Sequence, residues 1–242
     1  MKITWLGQAG LLMETGGMKI LIDPYLSDSV ARVNPLNYRR VPVDKQFLEI
    51  VPDVIICTHN HLDHTDPETL KAYLALEASK AYQEHGGCVT VLAPEAAWSE
   101  VRKFGGRHNY IKFNRHTQVT LMNREKEAVR FNAVKAEHSD PHPIGVIVEA
   151  EGKQYYITGD TLYNTDIFED IPEHIDVLFL PVNGVGNNMN MEDAARFCER
   201  IRPKTAVPMH CGLFDEIDMH AFAYENKIIP EIYREINLED RV

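Results

Sequence analysis

The chain has 242 residues, of which 44% are hydrophobic and 25% charged, with four cysteines. That composition excludes a disordered tail, a collagen-like repeat and a disulfide-stapled miniature, and it supplies enough apolar mass for a sizeable core. With 25 basic against 36 acidic residues the formal net charge is -11, which argues against a nucleic-acid partner gripped through its phosphates.

The opening reads as strands. Lys2 to Leu6, Leu11 to Thr15 and Lys19 to Ile22 are short apolar segments parted by Gly7-Gln8-Ala9-Gly10 and Gly16-Gly17 turns, and Asp23-Pro24 ends the third. Ser27 to Lys45 is polar, carries Pro35, Pro42 and the pair Arg39-Arg40, and reads as a long ordered loop beside a site. Val54 to Cys57 is a continuous apolar run, suited to a strand buried on both faces. Asp66-Pro67 starts a helix predicted to run towards His85, where Gly86-Gly87 stops it.

A strand at Val89 to Leu92 and a helix from Pro94 to Phe104 follow, with Gly105-Gly106 as terminator. Strands are then predicted at Ile111 to Phe113, Val119 to Met122, Ala128 to Val134, Gly145 to Glu149 and Gln154 to Ile157. Another apolar strand, Val177 to Leu180, precedes a helix near Met191 to Ile201 and a short strand at Ala206-Val207. With no repeat and no low-complexity seam, residues 1–242 read as one α/β domain with two sheets.

No run of about 18 apolar residues occurs, so no spanning helix and no membrane role is expected. Met1-Lys2 leads straight into an alternating segment without a signal-peptide pattern, and a cytoplasmic location is expected. Cys57, Cys88, Cys198 and Cys211 form no CxxC pair, and they read as small hydrophobes in a reducing compartment.

Chemistry gathers directly after the buried Val54 to Cys57 strand. His59, His61, Asp63 and His64 fall within six residues. A strand-to-helix loop can fan such side chains into one cavity, whereas a regular helix would spread them around its circumference. His138, Asp160 and His210 each lie just past a predicted strand, so all could meet at one rim of the two sheets. Seven N and O donors exceed what one tetrahedral zinc needs, and their number suits two divalent cations with open positions between them.

The HxHxDH run, the isolated His138, the Thr158-Gly159-Asp160 turn and the late His210 resemble the metallo-β-lactamase-fold hydrolases across nearly the whole chain. The resemblance implies a four-layer αββα sandwich of two mixed sheets flanked by helices. It further implies that His59, His61 and His138 hold one metal, that Asp63, His64 and His210 hold a second, and that Asp160 bridges them. Asp23 matches an acidic position that orients the ligand loop without binding metal. Asp63 and Asp160 are the carboxylates nearest the implied chemistry, in which a water between two cations becomes a hydroxide nucleophile. Zinc, manganese and iron all suit such a donor set.

Only 32 residues follow His210, and 49 separate Asp160 from His210. The helical substrate domain of hydroxyacylglutathione hydrolases and the large cap of nucleic-acid-processing nucleases are therefore not expected, leaving a compact esterase, lactonase or phosphodiesterase. Pro181-Val182-Asn183-Gly184 and Asn188-Met189-Asn190 are similar to segments of the L-ascorbate-6-phosphate lactonase-like subgroup, which opens a phosphorylated sugar lactone and is associated with manganese. Cys211-Gly212-Leu213-Phe214 departs from the endings of that subgroup.

The expected partner is a small-molecule substrate, with a homo-oligomer also compatible. Asn183 reads either as a donor to substrate or as half of a plain Asn-Gly turn. Arg39 and Arg40 read as a phosphate clamp or as surface charge, and His142 as a cavity residue or part of a rigid Pro-flanked loop. A metal-dependent phosphodiesterase, and a non-catalytic relative that only binds metal and ligand, are the alternatives to lactone or ester hydrolysis.

Overall fold

The computed structural model describes residues 1–75 and 88–238. Its first three strands, β1 (Lys2–Gly7), β2 (Gly10–Thr15) and β3 (Met18–Ile22), form an antiparallel meander. β4 (Val54–Ile56), β5 (Thr90–Ala93) and β6 (Asn109–Lys112) continue the same sheet in parallel, in the order β1-β2-β3-β4-β5-β6.

The second sheet mirrors that design. β7 (Gln118–Met122), β8 (Ala128–Lys135), β9 (Ile144–Ala150) and β10 (Lys153–Ile157) are antiparallel. β11 (Val177–Pro181) and β12 (Thr205–Met209) then add in parallel, giving the order β12-β11-β10-β9-β8-β7.

Among the described residues four helices accompany the sheets: α1 (Ser29–Val33), α2 (Pro67–Leu74), α3 (Glu95–Val101) and α4 (Met191–Ile201). The inner faces of the two sheets close on one another through Ile3, Trp5, Leu11, Ile20 and Ile56 on one side and Phe131, Val146, Ile157, Phe179 and Val207 on the other. The outer face of the first sheet, with Leu21, Ile55 and Val91, is covered by Leu70 and Leu74 of α2 and Ala97 and Val101 of α3. Leu178, Leu180 and Ala206 of the second sheet are covered by Ala194, Phe197 and Cys198 of α4. Each large side chain so enclosed contributes about 1.5–3 kcal/mol of apolar transfer. The result is the expected αββα arrangement. The parallel strands β4, β5, β11 and β12 are buried on both faces, which explains why Val54 to Ile56 shows no alternation.

Local chemistry sets the helix ends. The Asp66 carboxylate accepts from the Glu68 and Thr69 amides, with Pro67 at the first helical position, and Asn190 accepts from Asp193 N at the start of α4. α2 is shorter than its sequence pattern predicts, because Ala75 is already extended at ψ 135°; the rest of that predicted run, with its Gly86-Gly87 stop, lies outside the described residues. The segment from Ser27 to Lys45, read as loop, contains the short α1. β12 runs through Pro208, which its edge position tolerates since one side of an edge strand needs no ladder donor.

Two sheet edges are covered by the chain's last stretch. Ala206 N donates to Asn226 O and Ile228 N to Ala206 O, both at 2.9 Å, along β12. The chain then crosses to β1, where Tyr233 N bonds Trp5 O at 2.7 Å and Ile236 N bonds Ile3 O at 2.8 Å.

Candidate metal centre

The ends of β3, β4, β8, β10, β11 and β12 open on one rim, and the loops leaving them carry the polar side chains. After β4 the backbone doubles back: His64 N and Thr65 N both donate to His61 O, at 3.0 and 2.8 Å, and Thr65 Oγ1 donates to His59 O at 2.7 Å. That turn gathers His59, His61, Asp63 and His64 instead of fanning them apart.

Asp23 holds the turn from beneath. It accepts from Thr58 N at 2.7 Å and Thr58 Oγ1 at 2.6 Å, and its Oδ2 stands 2.7 Å from His64 Nδ1. Asp23 is fully buried.

The other three donors arrive from the second sheet. The donor atoms of His59, His61 and His138 lie within 4.8 Å of one another, as do those of Asp63, His64 and His210, and those of His59, His64 and Asp160. Asp160 stands between the groups. Its Oδ1 is 3.2 Å from His64 Nε2 and 3.1 Å from His210 Nε2, while Oδ2 is 3.8 Å from His138 Nε2. All seven residues singled out in the sequence therefore meet at one place.

The side chains are turned so that ring nitrogens converge. His64 Nδ1 faces Asp23, His138 Nδ1 faces Asn187 O at 3.1 Å, and His59 Nδ1 faces Thr58 Oγ1 at 3.1 Å. Each of these outer contacts takes the N–H at Nδ1, so that the ring, once neutral, presents an Nε2 lone pair inwards. His59 Nε2 is buried with no hydrogen-bond partner, and His138 Nε2 lies 3.0 Å from His61 Nδ1. Buried lone pairs pointed at a common space fit divalent cations, which would satisfy them.

Charge tells the same story. Burial opposes protonation of His64 and His210, but the surrounding carboxylates prevail. Asp160, Asp23 and Asp63 hold His64 well above the usual imidazole range, and Asp160 with Asp63 pushes His210 up to about 10. The same imidazoliums overcome desolvation to hold Asp63 and Asp160 below the usual carboxylate range. On the other side of the cluster, burial pushes His59 and His138 down. His59 and His138 are thus favoured as neutral imidazoles, while Asp63 and Asp160 form a carboxylate nest that attracts positive charge.

Strained backbone frames the cluster. Gln8, Asp23 and His210 all have positive φ, at 48°, 44° and 65°, a region uncommon for residues other than glycine. His210 N donates to Gln8 O at 3.1 Å, so the two left-handed residues brace each other.

A cavity of about 480 Å³ opens beside the cluster. Asn183 lines it, with Nδ2 3.1 Å from His210 Nδ1. The other expected substrate contacts do not line it. The Arg39 guanidinium is consumed by Tyr25 O at 2.8 Å, Val41 O at 3.1 Å and the Tyr233 hydroxyl at 2.6 Å. Arg40 donates to Phe214 O and lies over the Tyr38 ring, 5.0 Å from its centroid. His142 is exposed, and its amide is tied to Asp140 Oδ1 at 2.8 Å in the loop. In each case nearby carbonyl, ring or carboxylate groups take the side chain or its loop away from the cavity.

Three contributors escaped the sequence. Gln8 Nε2 donates to Asp63 Oδ2 at 3.1 Å. Asn188 Nδ2 donates to Asp160 Oδ2 at 2.9 Å. The Asp140 carboxylate accepts from Asn60 N at 2.9 Å and so fixes the ligand loop. A polar residue set between Gly7 and Gly10 is the available signal for Gln8, and the Asn188-Met189-Asn190 segment the one for Asn188; Asp140 carries none beyond its proximity to His138.

The chain is similar to known proteins over most of its length. Residues 2–210 match the family model described as the β-lactamase superfamily domain. A UPF0173 metal-dependent hydrolase of Archaeoglobus fulgidus is 31% identical over 227 residues, covering 90% of this chain and 86% of that protein. A UPF0173 protein of Pyrococcus furiosus is 30% identical over 226 residues, covering 93% and 90%. Among solved structures, Igni18, a metallo hydrolase from Ignicoccus hospitalis, shares the fold with a TM-score of 0.72 at 22% identity, covering 97% of each chain. A donor cluster at the rim of an αββα sandwich, and a family match across most of its length, make this chain a member of the β-lactamase superfamily domain family and a metallo-β-lactamase-fold hydrolase.

Proposed function

We propose that the protein is a metal-dependent hydrolase that opens a small lactone or ester. The observation that carries this reading is the convergence of the seven donors around Asp160, beside a cavity large enough for a small organic molecule. His59, His61 and His138 would hold one divalent cation and Asp63, His64 and His210 a second, with Asp160 shared. Bound there, such cations supply Lewis acidity, which eases deprotonation of water and polarises the oxygen of the group under attack.

The chain's own residues do the rest. Asp63 is the least enclosed carboxylate of the cluster, its side chain 18% exposed, and it lines the cavity with Oδ2 3.4 Å from His210 Nε2. Gln8 Nε2 holds that oxygen in place. Asn188 steadies Asp160, and Asn183 sits at the cavity wall against His210. Asp23 and Thr58 keep His59 and His64 turned inwards.

The family match over residues 2–210 supports reading residues 1–242 as one hydrolase domain. Among the described residues no helix is long and apolar enough to cross a membrane, which suits a substrate taken from water. The mixed imidazole and carboxylate donors favour zinc or manganese, with iron compatible.

Purified protein tested against a panel of lactones and esters should carry close to two metals per chain and lose turnover on chelation. Full turnover by an Asp160→Ala variant would overturn the mechanism.

A further inference from the structure

The walls of the cavity away from the donor cluster are built from a short list of side chains. Val30 on α1, Val185 on the turn after β11 and Phe214 after β12 supply apolar surface, and Asn37, Asn183 and Asn187 supply neutral amides. No lysine or arginine is found among the described residues that line it. Besides the donor cluster, its single charged lining residue is Asp215. That carboxylate is fixed in place, because Oδ1 accepts from Gly212 N at 2.9 Å and Ile217 N at 3.0 Å.

The two arginines nearest in sequence to Asn37 do not change this balance. Arg39 is spent on carbonyls and a tyrosine hydroxyl behind the wall. Arg40 is held by Phe214 O and lies 3.7 Å from Glu216. Leu36 and Tyr38 flank Asn37 and are 81% and 49% exposed, and the lining Val185 is 63% exposed.

We infer that the cavity selects an uncharged substrate with an apolar body, whose one polar group is the ester or lactone under attack, and that it rejects substrates carrying a separate phosphate, sulfonate or carboxylate. The inference rests on the hydrolase reading above and deepens it. An anionic group remote from the reacting carbonyl would leave water, find no counter-ion, and face the fixed Asp215 carboxylate. An acyl or alkyl chain in the same place buries its surface against Val30, Val185 and Phe214. Substrate selection here works by an absent cation and a present anion, a repulsive device as much as an attractive one.

The test compares matched pairs on the metal-loaded protein. p-Nitrophenyl hexanoate and its 6-sulfo counterpart differ only in a terminal charge, and a sulfonate is a poor ligand for divalent metals. The neutral ester should be favoured in kcat/KM by at least about tenfold. Asn37→Lys and Asp215→Asn should each raise the ratio of anionic to neutral turnover. Equal turnover of the two esters, or preference for the sulfonate, overturns the inference and leaves the hydrolase reading intact.

Binding is measured separately by titration calorimetry with hexanamide and 6-sulfohexanamide. If neither ester is turned over but hexanamide binds and its sulfonated partner does not, the hydrolase reading fails and the charge selection stands. If the sulfonated amide binds as well as hexanamide, the charge selection fails.

Discussion

Asp23 and His64 face each other across 2.7 Å, both fully buried, although they leave different strands and 41 positions separate them. The contact fixes the orientation of the His64 ring and links the end of β3 to the ligand loop after β4. Replacing Asp23 with Asn removes one acceptor from Thr58 and His64 together. Metal affinity should fall about 10–100-fold, read by competition with a coloured chelator. Unchanged affinity would show that the loop keeps its shape without that carboxylate.

Metal binding should expel protons. His64 and His210 are held protonated by their carboxylate neighbours, His210 up to about 10, and a cation can bind only once they are neutral. His59 and His138 are pushed down and give up none near neutral pH. Calorimetry in two buffers of different ionisation enthalpy should therefore find more than one proton released per chain at about pH 7, and affinity should weaken as pH falls. Release of none would contradict this charge arrangement.

The same shifts set how stability of the metal-free protein depends on pH. A histidine whose folded pKa is raised stabilises the fold fully below its unfolded value of about 6.5, and that contribution fades as pH climbs through the folded value. For His210 the loss begins above about 6.5 and is complete by about 10. Metal-free protein should melt at a lower temperature at about pH 9 than at about pH 6, by scanning calorimetry. Saturating metal should weaken or reverse that trend, since cations replace the protons.

Gly159 is the tightest backbone position near the centre. A Cβ there would lie 2.9 Å from Ile144 O and 2.9 Å from Thr58 Cβ, and its φ is +61°. Gly159→Ala should cost about 2–4 kcal/mol in chemical unfolding through crowding and backbone strain together. It should also weaken metal binding, because Thr58 would have to move and it supports His59. A loss under about 0.5 kcal/mol would mean that the second sheet yields there.

Much of this architecture could be read in advance, for reasons that differ by element. The strand runs and the HxHxDH loop were legible because their signals are local: apolar spacing, glycine turns and clustered donors. His138, Asp160 and His210 were legible only as residues just past strands. Sequence leaves Arg39 and Arg40 between a phosphate clamp and surface charge because their partners, the Tyr25 and Phe214 carbonyls and the Tyr233 hydroxyl, are brought near by tertiary folding alone. Gln8 and Asn188 were missed for the same reason, since a neutral amide becomes informative only when a buried carboxylate stands opposite it. β12 ran further than expected because its place at the border of the sheet excuses Pro208.

The last stretch of chain, which bonds to Ala206 on β12 and then to Ile3 and Trp5 on β1, has a consequence beyond local order. Unclothed strand borders are templates for other chains. A protein shortened before Asn226 would bare both at once, and its characteristic failure would be self-association into β-rich aggregates while the histidines and carboxylates stayed in register.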